Sequence, residues 1–248
     1  MDKTLEAPTS RSTMAEMMVA QRVEAPRSAC EPAATGRITV GKLELLTMAG
    51  AAPPPEREGV DTSGASAWQS GCKFAAALLE RVVFLQPAPR VLEVGCGCGV
   101  AGIAVAESDA SAQVLLTDGH DACLETVALN VGEAHGARCS TKLLKWGDGA
   151  AATAVATAFD PTIVLGADVG YDPSMRDILA DTLRVCCSAG KRAGEHADLI
   201  LVEQARFKDV YGFFLEALRK AGFKLIERAD LGDRVYYTRF KLQDIVVV

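Results

Sequence analysis

The sequence predicts an α/β fold: a doubly wound, mostly parallel, seven-stranded sheet that ends in a C-terminal antiparallel hairpin. Short apolar runs of strand length alternate along the chain with segments whose apolar residues recur at helical spacing. Because each crossover between parallel strands returns to the same edge of a sheet, this alternation indicates a parallel sheet with helices on both faces. A Gly232-Asp233 turn separates the last two apolar runs, and a hairpin there necessarily adds an antiparallel strand.

The first part of the chain predicts a tail and a small hairpin. Residues 1–36 are rich in Ala, Pro, Ser and Glu without a steady period, which is typical of a flexible tail. Residues 37–47 alternate around Gly41 and predict the hairpin, and the proline-containing stretch 51–63 predicts a loop. We therefore predict a tail over 1–36 and a single domain over 37–248 that begins with this hairpin.

The elements of the main sheet follow in order. Strands are predicted at residues 91–94, 114–117, 142–146, 162–167, 199–202, 224–228 and 235–242. A first helix follows Ala67, because apolar residues recur at helical spacing from Cys72 to Val82. Further helices are predicted over 100–106, 123–131, 178–186 and 210–218. No internal repeat is visible, which favours one domain.

Charge and hydropathy exclude several classes of protein. The 248 residues carry a formal net charge of −6 and no run of lysines and arginines, so we expect no nucleic-acid partner. The apolar stretches fall short of the roughly 18 residues needed to span a bilayer. The start of the chain is too acidic for a secretory or mitochondrial signal. We expect a soluble protein of the cytoplasm or nucleus, without a membrane partner.

The eight cysteines and three histidines show no metal-ligand spacing. No Cys-x-x-Cys pair is present, and Cys186 and Cys187 are neighbours that point in different directions on a predicted helix. We expect reduced thiols and no metal site.

A glycine-rich loop after the first strand of the main sheet is the sharpest local signal. Gly95, Gly97 and Gly99 alternate with Cys96 and Cys98, so the chain can turn sharply and bring bare backbone close to a ligand. The alternative is a turn that only connects a strand to a helix. Residues 97–102 also satisfy the dinucleotide pattern G-x-G-x-x-G. Glu93 favours a methyl donor over a dinucleotide, because its carboxylate suits an ammonium and repels a pyrophosphate.

Three further residues complete the expected cofactor site. Asp118, after the second strand, is placed to hold ribose hydroxyls in either kind of cofactor, or to cap the following helix. Trp146 either lies against an adenine, with Asp148 accepting its amine, or fills the core. Trp68 either caps the pocket or packs beneath it.

These residues resemble the seven-β-strand (class I) S-adenosyl-methionine-dependent methyltransferases with a Rossmann-like fold. The resemblance is closer to their non-SET protein-lysine branch. It is carried in order by residues 64–68, 93–99, 117–119 and 144–147, and by an Asp-x-x-Tyr motif at Asp168 and Tyr171. It spans about residues 37–242.

The resemblance implies a donor, a site and a class of partner. The donor would be S-adenosyl-L-methionine, in contact with Trp68, residues 95–97, Asp118, Trp146 and Ala167. A protein substrate is implied, with translation factors and chaperones as typical targets of relatives, and we expect a monomeric enzyme. Gly170 departs from the bulkier residue common in relatives, which predicts a looser loop around the substrate.

Asp168 and Tyr171 are the predicted catalytic residues. A lysine amine has a pKa of roughly 10.4 in water and must lose a proton before it can attack a methyl group. The Asp168 carboxylate is expected to hold and align this nitrogen, and the Tyr171 ring to cover it through a cation–π contact. The alternative is that Asp168 caps a helix near Pro173 and Tyr171 packs on the strand edge.

Three other functions remain open at the level of the sequence. One is a methyltransferase for a small molecule or another protein amine, which Asp-x-x-Tyr does not exclude. Another is an NAD-dependent oxidoreductase, against which Glu93 weighs. The third is a binding module that keeps the fold without turnover.

Overall fold

The computed structural model describes residues 21–22, 31–33, 37–47, 64, 66–190, 195–206 and 208–243. Most of the predicted tail, and the predicted loop 51–63, lie outside these residues.

The main sheet is the predicted one. Its seven long strands are β5 (Arg90–Val94), β6 (Gln113–Asp118), β7 (Cys139–Leu143), β8 (Ile163–Ala167), β9 (Asp198–Gln204), β10 (Phe223–Asp230) and β11 (Val235–Leu242). Their order across the sheet is β10-β11-β9-β8-β5-β6-β7. Strands β5 to β9 pair in parallel, whereas β11 runs antiparallel to both β9 and β10. The prediction of a mostly parallel, seven-stranded sheet with a C-terminal antiparallel hairpin is confirmed.

Short strands near the N-terminus add to this sheet. A two-residue strand, β1 (Gln21–Arg22), pairs in parallel with β10 as an eighth strand. Strand β2 (Glu31–Ala33) joins β3 (Arg37–Val40) and β4 (Leu43–Leu46) in a separate antiparallel sheet. Two short strands thus lie within the segment 1–36, for which the sequence indicates a flexible tail.

Helices cover both faces of the main sheet. They are α1 (Gln69–Leu79), α2 (Val100–Ser108), α3 (Asp121–His135), α4 (Gly149–Phe159), α5 (Arg176–Ser188) and α6 (Lys208–Lys220). Apolar side chains of α1, α2 and α3 form one core cluster, and those of α4, α5 and α6 form the other. Along β5, Val91 belongs to the first cluster and Leu92 to the second, which is the alternation of a strand buried on both faces.

The sequence-based assignment was wrong in two neighbouring places. It placed the third strand at 142–146, but β7 ends at Leu143. This strand lies at the sheet edge and is half exposed. It contains the polar residues Ser140 and Thr141, so its sequence lacks the apolar pattern of a buried strand. The helix α4 was missed altogether. Its sequence GAAATAVATAF contains mostly alanines on both faces, so burial of Ala152, Val155 and Ala156 leaves little periodic contrast.

The cysteines follow the prediction in part. Six of the described cysteines are free thiols and all six are buried, whereas Cys72 is disulfide-bonded, contrary to the expectation of reduced thiols throughout. In the part of the chain that the structure describes, no group of three potential ligands could hold a metal ion. No described helix is long and apolar enough to cross a membrane.

Gly102 allows α2 to pack closely on the sheet. A Cβ atom built there would lie 2.4 Å from Glu93 Oε2, 2.8 Å from Leu116 Cδ2 and 3.1 Å from Val114 Cγ1. These distances leave no space for a side chain, because the contacts come from strand residues fixed in the core.

We predict that Gly102→Ala destabilises the protein by about 1–3 kcal/mol through overpacking. Gly149→Ala, at the first position of α4, is the matched control, because nothing lies within 4 Å of its built Cβ. Urea denaturation of both variants measures the difference. Equal stability of the two variants would contradict the packing argument.

Candidate active site

A cleft of about 520 Å³ opens at the carboxyl edge of the parallel strands, where open α/β sheets bind ligands. Its volume is in the ordinary range for a small-molecule site. All but one of the predicted site residues line it, namely Trp68, Glu93, Gly95, Cys96, Gly97, Asp118, Trp146, Ala167, Asp168 and Tyr171. The exception is Gly99, which is the N-cap residue of α2.

The glycine loop between β5 and α2 is held in a backbone conformation that favours glycine. Gly95 has φ 70° and Gly99 has φ 82°, in the left-handed region that other residues rarely adopt. A Cβ at Gly95 would lie 3.0 Å from both Trp146 Cζ2 and Val169 Cγ1. Gly95 therefore lets Trp146 and Val169 pack directly against the loop, whereas Gly99 makes the turn into the helix.

Glu93 fixes the two ends of this loop to each other. Its side chain is buried, and Oε2 accepts a hydrogen bond of 2.9 Å from the backbone N–H of Gly102 in α2. Its carbonyl oxygen accepts a 2.7 Å bond from the Thr117 hydroxyl. Burial raises the pKa of Glu93 to about 8, against the lowering effect of the Gly102 bond. The acid therefore orders the loop, as the sequence suggests, and borders the cleft at the same time.

Asp118 connects the second strand of the site to the glycine loop. One carboxylate oxygen accepts a 2.9 Å bond from Gly97 N–H and the other a 3.0 Å bond from His120 N–H. The N-cap position of α3 belongs to His120, so Asp118 is not the cap that the alternative interpretation required. Its side chain remains at the cleft wall.

The aromatic residues and Asp148 have separable roles. Trp146 is half-buried, lines the cleft, and also packs against the core cluster of α4, α5 and α6. It therefore contributes to the core, and its contact with an adenine stays a prediction. Asp148 does not belong to the cleft lining; its carboxylate accepts a 2.9 Å bond from Ala151 N–H and caps α4. The suggestion that Asp148 accepts a bond from adenine is therefore replaced by a capping role.

Asp168 is held in an ion pair that the sequence did not reveal. It has φ 58°, and its side chain is only 2% exposed. The Arg206 guanidinium donates to both carboxylate oxygens, with 2.7 Å between Nη1 and Oδ1. The same guanidinium lies 4.9 Å from the centre of the Trp68 ring. Helix α5 has Met175 at its N-cap, so Asp168 does not cap it.

Glu203 fixes the backbone of the Asp-x-x-Tyr loop through hydrogen bonds. Its Oε1 accepts bonds from Val169 N–H at 3.0 Å and Gly170 N–H at 3.2 Å, directly after Asp168. Burial, and secondarily the charge of Asp168, raises the pKa of Glu203 to about 8. The sequence did not reveal this role of Glu203, because a bond between two strand ends leaves no periodic signal.

Gly170 does not loosen this loop as expected. It is buried, and a Cβ there would lie 2.3 Å from Cδ1 of Phe214. The aromatic ring of α6 thus fills the space that a bulkier residue would need. The prediction of a looser loop is wrong, because the Phe214 ring, 44 positions further along the chain, occupies the space beside Gly170.

A second, smaller cavity of about 60 Å³ adjoins the cleft. Its lining includes Glu203, Arg206 and Tyr211, and it shares Asp168 and Tyr171 with the larger one. The two predicted catalytic residues therefore stand at the boundary between the cavities, and Tyr171 is 39% exposed there.

The sheet order with one antiparallel strand, a glycine loop and an acid after the next strand define a class I methyltransferase. The chain belongs to the lysine methyltransferase family, whose model matches residues 56–219 of the 248. It is accordingly an S-adenosyl-methionine-dependent methyltransferase, and the family implies a protein lysine as acceptor. No curated protein shows significant similarity to the chain.

Solved structures share the fold at low sequence identity. The fibrillarin pre-rRNA processing protein of Methanococcus jannaschii is 13% identical with a TM-score of 0.53, covering 87% of this chain and 98% of its own. Aeropyrum pernix fibrillarin, solved with natively bound S-adenosyl-L-methionine, is 15% identical with a TM-score of 0.50, covering 67% and 73%. An O-methyltransferase family 2 protein from Planctomyces limnophilus is 14% identical with a TM-score of 0.53, covering 70% and 58%.

We predict that Glu93 makes the stability of the ligand-free protein fall as the pH rises. Its pKa is about 8 in the folded state, against 4.5 for an unperturbed glutamate side chain. The folded state therefore binds the proton more tightly, and this stabilisation is complete below pH 4.5 and lost as the pH rises through 8. The Glu93→Gln variant keeps an oxygen for Gly102 N–H but cannot ionise at this position. Between pH 5 and 9 its free energy of unfolding should therefore fall less than that of wild type, by on the order of 2–4 kcal/mol.

Thermal melting between pH 5 and 9 measures this difference. Glu125→Gln, on the exposed surface of α3, controls for the loss of one negative charge. Parallel pH profiles for wild type and Glu93→Gln would show that Glu93 is ionised in the folded state.

Proposed function

We propose that the protein methylates a protein lysine and that the two adjoining cavities bind the two reactants, the methyl donor and the lysine side chain. S-adenosyl-methionine occupies the larger cleft, and the acceptor amine meets it at Asp168 and Tyr171. The observation that carries this proposal is the position of these two residues, which line both cavities. A reaction between two bound partners requires such a boundary, because the reacting atoms must be held within about 3–3.5 Å of each other.

The cleft fits the donor through its bare backbone and its acids. The bare backbone of Gly95 and Gly97 lines the cleft and suits close approach of the amino-acid end, with Glu93 on that side of the site. Asp118 is placed to accept bonds from ribose hydroxyls, and Trp146 to lie against the adenine. When bound, the donor supplies an electrophilic methyl group on a sulfonium. A pyrophosphate fits less well, because the carboxylate of Asp118 borders the loop.

On the acceptor side, Asp168 and Tyr171 position the nitrogen. The carboxylate of Asp168 keeps lone pairs beyond those used in its ion pair, so it accepts a bond from the amine N–H and aligns the nitrogen. The exposed ring of Tyr171 covers the aliphatic stem and the head of the lysine at the mouth of the cavity. Glu203 and Gly170, which are both buried, line the smaller cavity on the side of α6 and β9.

We further propose a monomeric enzyme of the cytoplasm or nucleus that modifies a folded protein such as a translation factor or chaperone. Six of the seven described cysteines are free thiols, which is typical of a reducing compartment, whereas the disulfide at Cys72 is not. The class of target rests on the resemblance to the protein-lysine branch. Size-exclusion chromatography with light scattering tests the monomer, and fractionation of cells tests the compartment.

Calorimetric titration tests the donor site. We expect S-adenosyl-methionine to bind and NAD not to bind, and Asp118→Ala to weaken donor binding at least tenfold, because it removes the ribose acceptor and the bond to Gly97 N–H. Asp121→Ala removes a neighbouring exposed carboxylate outside the cleft lining and should bind the donor as wild type does. Binding of NAD in place of the donor would overturn the assignment of the cleft.

Transfer of a labelled methyl group tests the acceptor site. Cell lysate treated with the enzyme should gain methyl-lysine, identified by mass spectrometry, and Asp168→Asn should reduce transfer at least tenfold while donor binding stays intact. Label on N-terminal amines or on small molecules, with no methyl-lysine, would show that the acceptor is of another class.

A further inference from the structure

The carboxylate that faces the acceptor already has a cation as its partner. Arg206 follows β9, and its guanidinium donates to both oxygens of Asp168. The Asp168 side chain is 2% exposed and that of Arg206 is 30% exposed, so the pair is screened from water on the aspartate side. Bidentate pairs of this kind combine charge with a fixed geometry.

Further contacts hold both the guanidinium and the backbone of Arg206 in place. It lies over the Trp68 ring at 4.9 Å, and the Arg206 backbone carbonyl accepts a 3.2 Å bond from Arg234 Nη2. The backbone N–H of Arg206 donates to Gln204 O at 2.8 Å. Arg206 is therefore held in position at the site by contacts other than its ion pair with Asp168.

The ion pair of Asp168 and Arg206 affects the charge state of the acceptor lysine. An unpaired carboxylate beside a lysine favours the ammonium form and raises its pKa, which opposes the loss of the proton that methylation needs. A carboxylate already neutralised by a guanidinium has no such effect, and the nearby positive charge favours the neutral amine. Arginine cannot itself take the proton, because its pKa exceeds 12.

We propose that Arg206 is a positioning residue that neutralises Asp168, so that the site accepts the substrate lysine as a neutral amine. This inference rests on the proposed role of Asp168 at the acceptor. The lysine gives one proton to water as it enters, and Asp168 accepts a hydrogen bond from the remaining N–H. The nitrogen lone pair forms the N–C bond while the pair of the S–C bond returns to sulfur, and the product leaves as a methylammonium.

The other charged and titratable groups around the pair agree with this assignment. They are Tyr171 and Asp172 on the same loop, Glu203 on β9, Tyr211 on α6 and Lys145 across the cleft. Burial raises the pKa of Glu203 to about 8, so near neutral pH it is mainly protonated and adds little negative charge beside Asp168. Burial also raises the pKa of Tyr211, which keeps that hydroxyl neutral. Asp172 accepts bonds from Ser174 at the exposed end of the loop.

The test is the pH dependence of methyl transfer to N-acetyl-lysine methylamide, with labelled donor, in wild type and Arg206→Met. Without the guanidinium, Asp168 holds the ammonium, so the acid limb of kcat should move up by about one pH unit or more. At pH 7.5 kcat should fall about tenfold without a rise in KM, and it should approach wild type at pH 9.5. Arg206→Lys keeps a cation and should retain most of the wild-type profile, and Arg219→Met, on the exposed end of α6, controls for net charge.

A double variant separates charge balance from packing. In Asp168→Asn with Arg206→Met no carboxylate remains to hold the ammonium, so the acid limb should return towards that of wild type. Such non-additivity is the signature of a direct interaction between the two side chains. A purely structural role of Arg206 would lower kcat at every pH and leave the limb in place, and this outcome would overturn the proposal.

Binding provides a readout that does not need turnover. Titration of n-butylammonium into protein saturated with S-adenosyl-homocysteine at pH 7 should show tighter binding to Arg206→Met than to wild type, by about tenfold. Weaker or equal binding would overturn the inference even if no lysine were methylated. Failure of wild type to methylate any lysine, with n-butylammonium binding as expected, would instead contradict the proposed function. Retained donor binding and a cooperative melt confirm that each variant is folded.

Discussion

The hydrogen bond from Gly102 N–H to the buried carboxylate of Glu93 is the constraint on which the cofactor side of the site depends. It joins the end of β5 to the first turn of α2, so the intervening loop has both ends fixed to one side chain. The absent Cβ at Gly102 is what lets the helix approach this closely. Asp118 then attaches the middle of the same loop to β6 through Gly97 N–H. The cleft therefore has a rigid wall before any ligand is present, which lowers the entropy cost of binding.

A second buried acid repeats this arrangement on the acceptor side. Glu203 lies at the end of β9 and binds the backbone N–H groups of Val169 and Gly170, as Glu93 binds that of Gly102. In both cases a carboxylate from a strand end satisfies backbone donors that have no partner within regular structure, in the first turn of α2 for Glu93 and in the Asp-x-x-Tyr loop for Glu203. Buried donors without a partner are costly, so these acids make a helix start and an irregular loop compatible with the interior. The loop that carries Asp168 needs this support, because its backbone is in the left-handed region at that residue.

The sequence predicted those parts of the molecule whose signal is local. Strand–loop–helix order, the glycine loop and Asp118 all depend on residues close together in the chain, and the structure brings them to one cleft. The helix α4 lacked periodic contrast because its buried stripe is mostly alanine. The ion pair of Asp168 with Arg206 and the contact of Gly170 with Phe214 join residues about 40 positions apart. Such pairs have no spacing rule, so the sequence predicted which residues lie at the site without their partners.

These partners change the electrostatic character of the site. By formal charge, Glu93, Asp118 and Asp168 make the cleft acidic and Glu203 adds an acid to the smaller cavity, as a cationic donor and a cationic acceptor would favour. In the structure the carboxylate of Asp168 is neutralised by Arg206, and burial raises the pKa of both glutamates to about 8. Near neutral pH, much of the formal negative charge of the site is therefore either neutralised by Arg206 or absent because the glutamates are protonated. A strongly anionic pocket would bind an ammonium tightly and keep it protonated, whereas attack on a methyl group requires the free lone pair. The arrangement therefore gives up ground-state affinity for the charged lysine in favour of the form that reacts.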